Sequence, residues 1–208
     1  MRRVTYFVAS TIDGFVAGPN GGDPTMSGDG ESIGPDDFFT VGEDYFKHIV
    51  TTYPETLPGP ARDALGISDA GSHFDTVLEG RGSFELGLDA GIPDAYPHLR
   101  HVVFSRTLTS APGTDVEIVA SDPVENVRAL KQESGKGIWV VGGGAIAGVL
   151  YPEIDELIVK LNPVTIGRGI PLWGGDSAFD ATAWERTGCT PLASGVVFLT
   201  YSRKPSAR

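Results

Sequence analysis

Three short turns carry residue types that can hold phosphate groups. They are Gly80-Arg81-Gly82-Ser83, Ser105-Arg106 and Gly142-Gly143-Gly144, and each directly follows a short apolar run. Glycine lets the backbone approach a phosphate closely, and the start of a following helix offers unpaired N–H donors. The two guanidinium groups can neutralise a pyrophosphate and a further phosphate on a ribose. Each turn alone is better explained as a tight strand-to-helix connection, but the three together, two of them with arginine, favour a phosphate-bearing ligand.

The glycine run also fits a dinucleotide fingerprint, because residues 142–147 read G-x-G-x-x-A. In the ordinary Rossmann fold this motif opens the first strand–helix unit, and an acidic residue ends the next strand. Here the motif lies late in the chain and that acidic residue is missing. A different nucleotide-binding α/β fold explains the glycines better, and a Rossmann dehydrogenase stays as an alternative.

Two isolated polar residues are further candidates. Asp13 precedes Gly14 just after the first apolar run, so the pair is either a simple turn or a polar group beside a reacting carbon. Lys160 is the one charge within the apolar residues 157–161. Its side chain either faces a ligand cleft or extends along a sheet edge into water.

A group of acidic residues could include a carboxylate that binds a nitrogen heterocycle, although a solvated helix face is the commoner explanation: Asp36, Asp37, Glu43 and Asp44. Among these residues, Asp37 is the candidate substrate contact. His98 and His101 have the spacing of one helix face, but Pro97 and the expected strand at residue 101 argue against a helix there. Because the other histidines and Cys189 stand alone, we expect no metal site. The Gly-x-Ser-x-Gly turn of hydrolases is also missing.

Short apolar runs alternate with helical patterns, which predicts how these residues are positioned. We expect strands at residues 4–9, 74–78, 101–104, 116–119, 137–141, 157–161 and 196–201. Helices are expected over residues 36–53, 123–134 and 145–150, with Asp122 as N-cap of the second. This alternation predicts an α/β fold with a largely parallel sheet, in one domain spanning residues 1–208. The long segment 18–35 is a candidate lid or binding loop.

Composition narrows the class of protein. The 208 residues carry a formal net charge of −11, which argues against nucleic acid or an anionic membrane as partner. One cysteine excludes an intrachain disulfide, and no apolar stretch approaches the length of a membrane span. The first residues do not have the layout of a signal peptide, so we expect a cytoplasmic protein.

Six segments, in this order along the chain, resemble the dihydrofolate reductase superfamily, and in particular the RibD C-terminal-domain-like reductases. They are residues 8–17 (VASTIDGFVA), 74–81 (FDTVLEGR), 102–108 (VVFSRTL), 140–144 (VVGGG), 155–164 (DELIVKLNPV) and 167–173 (GRGIPLW). The resemblance implies a three-layer α/β fold, with a mixed, mostly parallel central sheet flanked by helices. It also implies NADPH as cofactor, a reductase reaction of the kind used in riboflavin biosynthesis, and a homodimer.

The resemblance further assigns roles to single residues. Asp13 would be the catalytic residue near the centre of hydride transfer. The cofactor would be bound by residues on four strand ends: Ala9 and Val16 near the nicotinamide, Gly80, Arg81 and Ser83 at the pyrophosphate, Ser105 and Arg106 at the adenosine ribose and its 2′-phosphate, and Gly142, Gly143, Gly144, Ala145 and Ile146 on the other side of the dinucleotide. Asp37 and Lys160 remain the candidate substrate contacts.

Departures from the family pattern concern the substrate. Dihydrofolate reductases carry their acidic residue in a Trp- and Pro-containing context that Asp36 and Asp37 lack. Riboflavin-pathway reductases usually show a Trp-Ile-Ser/Thr segment before Ala-Arg, and here Ala61-Arg62 stands without it. We therefore expect an NADPH-dependent reductase of a small pteridine- or ribosylaminopyrimidine-like substrate. The alternative is a non-catalytic NADP-binding module of the same fold.

Overall fold

The structure is a computed structural model that describes residues 1–21, 38–39, 41–175 and 180–205. Most of the candidate lid loop, residues 18–35, lies outside the described residues, as do Asp36 and Asp37. Among the helices that are described, none is long and apolar enough to cross a membrane.

The described residues form ten strands and five α-helices. The strands are β1 (Val4–Ser10), β2 (Phe15–Ala17), β3 (Phe74–Gly80), β4 (Arg100–Phe104), β5 (Glu117–Val119), β6 (Gly137–Val141), β7 (Glu156–Leu161), β8 (Ile170–Pro171), β9 (Trp184–Pro191) and β10 (Val197–Arg203). The helices are α1 (Glu43–Thr52), α2 (Gly59–Leu65), α3 (Arg81–Asp89), α4 (Pro123–Gln132) and α5 (Gly144–Leu150).

Eight of these strands form one sheet, in the order β5-β4-β3-β6-β1-β7-β10-β9. The six strands from β5 to β7 in that order run parallel, whereas β10 and β9 are antiparallel to their neighbours. The predicted mixed, mostly parallel sheet is therefore confirmed. The sheet takes strands from nearly the whole described chain, and the single domain over residues 1–208 stays a prediction.

Helices cover both faces of the sheet because its central strands are apolar on both sides. Along β1, Tyr6 and Val8 belong to the core beneath α4 and α5, and Phe7 belongs to the core beneath α1. Burial of the three side chains is nearly complete. The predicted three-layer arrangement is confirmed.

Local sequence explains where α4 begins. The side chain of Asp122 accepts hydrogen bonds from the backbone N–H groups of Val124 and Glu125, at 2.8 and 3.4 Å. Pro123 occupies the first helical position, where its missing N–H costs nothing. The predicted cap is confirmed, and the helix ends two residues earlier than expected, at Gln132.

Other elements differ from the sequence prediction. The predicted helix at residues 36–53 is shorter, since α1 spans Glu43–Thr52 in the described chain. The strand β9 was not predicted, because its sequence WERTGCTP is polar and it lies at the edge of the sheet, mostly exposed. The helices α2 and α3 were not predicted either. Helix α3 begins at Arg81, so the Gly-Arg-Gly-Ser sequence is the first turn of a helix.

Candidate functional site

Three neighbouring parallel strands end side by side and bring the three candidate turns to one edge of the sheet. In the ladder, Gly80 of β3 pairs with Phe104 of β4, and Glu79 pairs with Val141 of β6. We call the segments that follow the β3 turn (residues 80–83), the β4 turn (residues 105–107) and the glycine turn (residues 142–144). In open α/β sheets, ligands bind at this carboxyl edge.

The β3 turn offers unpaired backbone donors. Gly80 is the N-cap of α3 and has no side chain to bond the first N–H groups of the helix. A Cβ built on Gly82 would meet no atom within 4 Å, so the backbone is open there. The guanidinium of Arg81 donates to the hydroxyl of Thr107 at 2.9 Å and pairs with Glu85 at 3.5 Å. Arg81 therefore links the β3 turn to the β4 turn.

The β4 turn is organised by Ser105. Its buried hydroxyl accepts hydrogen bonds from the backbone N–H groups of Thr107 and Leu108, at 3.2 and 2.9 Å. This bonding holds the turn in a fixed shape and leaves the side chain of Arg106 exposed. The arginine can thus reach a phosphate outside the turn.

The three glycines of the glycine turn have three different surroundings. Gly142 has a φ of 110° and lies against Ser83, whose hydroxyl accepts from the N–H of Gly143 at 3.1 Å. A Cβ on Gly143 would meet no atom within 4 Å, so this residue is open to a ligand. Gly144 packs against the backbone of Pro171 and Gly174, and its carbonyl accepts from the N–H of Gly174 at 2.9 Å.

The next two residues of α5 differ in exposure. Ala145 is exposed, whereas Ile146 is buried in the core and packs against Gly80. Contact between Ile146 and Gly80 fixes the spacing between α5 and the β3 turn.

The predicted nicotinamide neighbours lie at the end of β1. Ala9 is half-buried and pairs with Lys160 of β7, on the face that carries α1. Val16 is buried with Val8 in the core of the opposite face. The structure therefore places the two side chains in different surroundings at one end of the strand.

Asp13 holds a loop. Its carboxylate accepts hydrogen bonds from the backbone N–H groups of Ile166 and Gly167, the shorter pair at 3.1 and 2.7 Å. A hydrogen bond from the Thr11 hydroxyl, and after it the bonds from Gly167 and Ile166, lower the pKa of this exposed carboxyl. Asp13 is thus ionised at neutral pH, where it can orient water but carries no proton of its own.

Lys160 lies in the interior of the sheet, because β7 runs between β1 and β10. Lys160 is therefore not on an edge strand, although it stands one residue before the carboxyl end of β7. Its ammonium is 4.5 Å from the centre of the Phe7 ring and 6.0 Å from that of Tyr45 on α1. A half-buried cation between aromatic rings on the face of Ala9 can bind an electron-rich or anionic group.

The remaining acidic candidates divide into two groups. Asp37 lies outside the described residues, so its role stays a prediction. Asp44 accepts from the backbone N–H groups of Tyr45 and Ser194, at 2.7 and 2.8 Å. Its carboxylate therefore lies in the first turn of α1 and holds the loop before β10. Within the part of the chain that the structure describes, no three His, Cys, Asp or Glu side chains are grouped to hold a metal ion.

A buried acid–histidine–acid cluster was missed by the sequence analysis. Nε2 of His101 on β4 is 3.0 Å from Oε2 of Glu79 on β3, and Nδ1 is 2.8 Å from Oδ1 of Asp94. Burial raises the pKa of Glu79 against the opposing effect of His101. For His101, burial lowers the pKa, but the two carboxylates outweigh it and the net direction is upward. The sequence signal that could have identified this cluster is the position of Glu79 and His101 within otherwise apolar runs.

A surface pocket of about 290 Å³ lies at the opposite, amino-terminal edge of the sheet, beside Arg2, Arg3 and Lys136. The guanidinium of Arg2 bonds Asp75 and the hydroxyl of Thr76. The ammonium of Lys136 bonds the carbonyl of Gly71 at 2.6 Å. Arg3 pairs with Glu156 at 4.0 Å, so all three of these basic side chains have partners within the protein, which makes this pocket a poorer anion site than the carboxyl edge.

Comparison with known proteins finds one family along nearly the whole chain. The profile described as the RibD C-terminal domain matches residues 2–198. The chain is 32% identical to YwjB, an uncharacterized protein of Bacillus subtilis (strain 168), over 110 residues that are 52% of this chain and 63% of YwjB. It thus spans less than two thirds of that relative. It is 26% identical to YyaP, an uncharacterized protein of the same strain, over 185 residues that are 83% of this chain and 80% of YyaP.

Solved structures share the fold. A crystal structure of a protein provisionally named for riboflavin biosynthesis, from Shewanella sp. PV-4, matches with a TM-score of 0.65 at 20% identity, over 99% of this chain and all of that one. Dihydrofolate reductase from Enterococcus faecalis, complexed with NADP(H) and RAB-propyl, matches with a TM-score of 0.57 at 16% identity, over 98% of this chain and 97% of the other. At these identities the likeness shows a dihydrofolate-reductase-like fold.

Proposed function

The chain belongs to the RibD C-terminal domain family, and on that premise we propose that it is an NADPH-dependent reductase of a small pteridine- or ribosylaminopyrimidine-like compound. The observation that carries the proposal is the side-by-side ending of β4, β3 and β6, which brings the three candidate turns to one edge. Backbone donors and guanidinium groups at such an edge suit a dinucleotide carrying several phosphates.

The residues at this edge fit NADPH. Open backbone at Gly82 and Gly143 and the uncapped first turn of α3 would hold the pyrophosphate. Arg106, exposed on the β4 turn that Ser105 shapes, would bind the 2′-phosphate. When bound, NADPH supplies a hydride. The protein would orient the reactants and exclude bulk water. The carboxylate of Asp13 would hold one water molecule as a route for the proton.

Lys160 supports the assignment of the substrate pocket to the face of α1. Its ammonium lies beside the rings of Phe7 and Tyr45, and its strand position is paired with Ala9. A flat, carbonyl-rich heterocycle could pack on the rings while an oxygen accepts from the ammonium. Pteridines and ribosylaminopyrimidines both have this character.

Titration of the intact chain with NADPH tests the proposal. We expect quenching or a shift of the nicotinamide fluorescence, and weaker binding of NADH, which lacks the 2′-phosphate. Oxidation of NADPH, followed by absorbance with pterins and ribosylaminopyrimidines as acceptors, then tests catalysis. Failure to bind NADPH at high micromolar concentration contradicts the proposal, and equal affinity for NADH contradicts the role given to the β4 turn.

A second candidate is a non-catalytic NADP-binding module of the same fold. It is favoured by Asp13, whose carboxylate is engaged with the backbone of Ile166 and Gly167. This candidate predicts NADPH binding without oxidation in the presence of either class of acceptor. Oxidation that depends on an added acceptor would exclude it.

A further inference from the structure

We propose that Glu79, His101 and Asp94 are positioning residues that hold one buried proton, and that loss of this proton weakens binding of the dinucleotide at the β3 turn. The proposal rests on the proposed function, because it concerns the same turn and the same ligand. It follows from the number of hydrogen bonds in the cluster, its burial and its place on β3.

The number of protons follows from the geometry. Both ring nitrogens of His101 lie at hydrogen-bond distance from a carboxylate oxygen, 3.0 Å to Glu79 and 2.8 Å to Asp94. A neutral imidazole has one N–H, so one of these contacts would set a lone pair against an oxygen. Both contacts are hydrogen bonds only when the cluster holds one extra proton, on the ring or on a carboxyl. Its net charge is then −1, and without that proton it is −2.

Burial makes loss of this proton costly. The side chains of His101, Glu79 and Asp94 are 1%, 8% and 12% exposed. In such surroundings a second uncompensated negative charge is poorly solvated, and a lost hydrogen bond is not replaced by water. Removing the proton therefore shifts the carboxylates away from the ring.

Such a shift reaches the candidate cofactor site directly. Glu79 immediately precedes Gly80, the N-cap of α3. A Cβ built on Gly142 would lie 3.9 Å from Cγ of Glu79 and in contact with Ser83, so Glu79 lies beneath both the β3 turn and the glycine turn. Displacement of Glu79 disturbs both turns, and an added negative charge there repels a pyrophosphate.

The groups packed around the cluster do not replace this proton. The rings of Phe84 of α3 and Tyr96 are steeply inclined to the His101 ring, in T-shaped pairs with centroids 5.9 and 5.7 Å apart. The pKa of His98 is lowered, mainly by burial, although the negative charge of Asp94 acts to raise it. Nε2 of His98 lies 2.9 Å from the carbonyl of Glu55. Arg62 of α2 influences His98 and donates to the carbonyls of Pro54 and Asp69. His98 is thus neutral in the range where the cluster titrates.

Fluorescence titration of the intact chain with NADPH across pH tests the coupling. For the unaltered chain we expect the dissociation constant to rise roughly three- to tenfold between about pH 7 and about pH 9.5, as the cluster loses its proton. The 2′-phosphate is already fully charged there, since a phosphate monoester has its second pKa near about 6.

The Glu79→Gln variant should remove this dependence. Its amide can donate to Nε2 while Nδ1–H donates to Asp94, so both bonds form without the shared proton and the net charge stays at −1. We expect its affinity to change less than about twofold over the same range. Asp94→Asn replaces the carboxylate on the Nδ1 side of His101 by an amide in the same way. It is used in place of Glu79→Gln if circular dichroism shows that Glu79→Gln does not fold.

His73→Gln is the matched control. His73 also lies beside a buried glutamate, with Nδ1 3.3 Å from Oε1 of Glu55, but at the amino-terminal edge of the sheet. It should keep the pH profile of the unaltered chain. If Glu79→Gln and Asp94→Asn also keep that profile, the coupling is overturned while NADPH binding stands. If the unaltered chain does not bind NADPH at neutral pH, the cofactor assignment fails first.

Nitrogen-15 NMR of labelled histidine gives a readout independent of NADPH. In the unaltered chain we expect the His101 ring signals to change with pH above the ordinary histidine range, because the shared proton lies on the ring or in a hydrogen bond to it, and we expect Glu79→Gln to lose that change. Ring signals that stay constant, as those of a single neutral tautomer, from neutral pH upward overturn the proposal.

Discussion

At the scale of single residues, the two arginines of the candidate cofactor edge differ in what holds them. Arg81 is bonded to Thr107 and paired with Glu85, so its removal would disturb the protein as well as a ligand. Arg106 is exposed and has no hydrogen bond or ion pair to the other described residues. Substitution of Arg106 therefore reports on ligand binding with little change in the fold.

Arg106→Ala should weaken NADPH binding by about 1–3 kcal/mol, because a charge-assisted bond to phosphate is lost. NADH binding should be nearly unchanged, since NADH carries no 2′-phosphate. Arg3→Ala is the control, because Arg3 is exposed at the opposite edge of the sheet. Equal losses for NADPH and NADH in Arg106→Ala would place the arginine elsewhere on the dinucleotide.

Lys160→Met should raise the KM of the reducible substrate and leave NADPH affinity unchanged, because the ammonium is assigned to the substrate. A lost hydrogen bond from a charged group costs about 1.5–3 kcal/mol. Methionine keeps the apolar stem against Phe7, and Lys160→Arg keeps the charge as a comparison. Steady-state kinetics with direct NADPH titration separates the two effects. Weakened NADPH binding in Lys160→Met would contradict the assignment.

At the scale of elements, the close contact between α5 and the segment before residue 175 is possible because α5 has glycine at two positions. Gly144 and Gly148 on α5 both pack against the backbone of Gly174, too close for a Cβ at either position. Burial of this contact brings Trp173 and Leu172 onto the core beneath α5. The glycine turn is thus partly a packing feature of the fold.

Gly144→Ala should therefore destabilise the fold by about 1–3 kcal/mol, because the added methyl overpacks the contact. Gly143→Ala should change stability by less than about 0.5 kcal/mol, since its neighbourhood is open and its φ of −70° suits alanine. Urea unfolding measures both variants. Equal stabilities would show that the loop moves aside at no cost. Gly143→Ala should instead weaken NADPH binding, because the methyl occupies the open face.

At the scale of the whole molecule, buried carboxylates determine how the acidic chain responds to pH. Glu55 is completely buried and accepts from the backbone N–H groups of His73 and Phe74, at 2.7 and 3.1 Å. Burial opposes ionisation, but hydrogen bonds from the His73 side chain and from these N–H groups outweigh it and lower its pKa. A carboxyl whose pKa is lowered in the folded state stabilises the fold above its unfolded pKa.

The fold should consequently lose stability as pH falls from about 5 toward the lowered pKa of Glu55, because the group must then bind a proton. Glu55→Gln should lower the free energy of unfolding by about 1–3 kcal/mol at neutral pH and make stability depend less on pH under acid conditions. Thermal melting between about pH 7 and about pH 3 measures this pH dependence. Exposed Glu43→Gln should keep the slope of the unaltered chain. An unchanged slope in Glu55→Gln would assign the acid response to other carboxyls.

Several functional statements at this scale remain predictions. The homodimer follows from the family resemblance, and light scattering after size-exclusion chromatography would show twice the chain mass if it forms. The cytoplasmic location and the exclusion of nucleic acid rest on composition and charge. The natural substrate is to be found by the oxidation assay.

Local sequence was enough to predict most of what lies at the ends of the parallel strands. Apolar runs predicted the central strands, and the residues that end them identified the β3, β4 and glycine turns. Asp122 and Pro123 predicted the start of α4. These features depend on a few consecutive residues, whose periodicity and capping chemistry act within one element.

Tertiary structure decided which of those residues meet. The pairing of Glu79, His101 and Asp94, the placement of Lys160 beside Phe7 and the engagement of Asp13 with Ile166 each depend on the register of separate elements. The polar strand β9 likewise forms only because β10 offers it a neighbour. Register is set by packing of the whole core, since a shift of one residue turns every side chain to the other face.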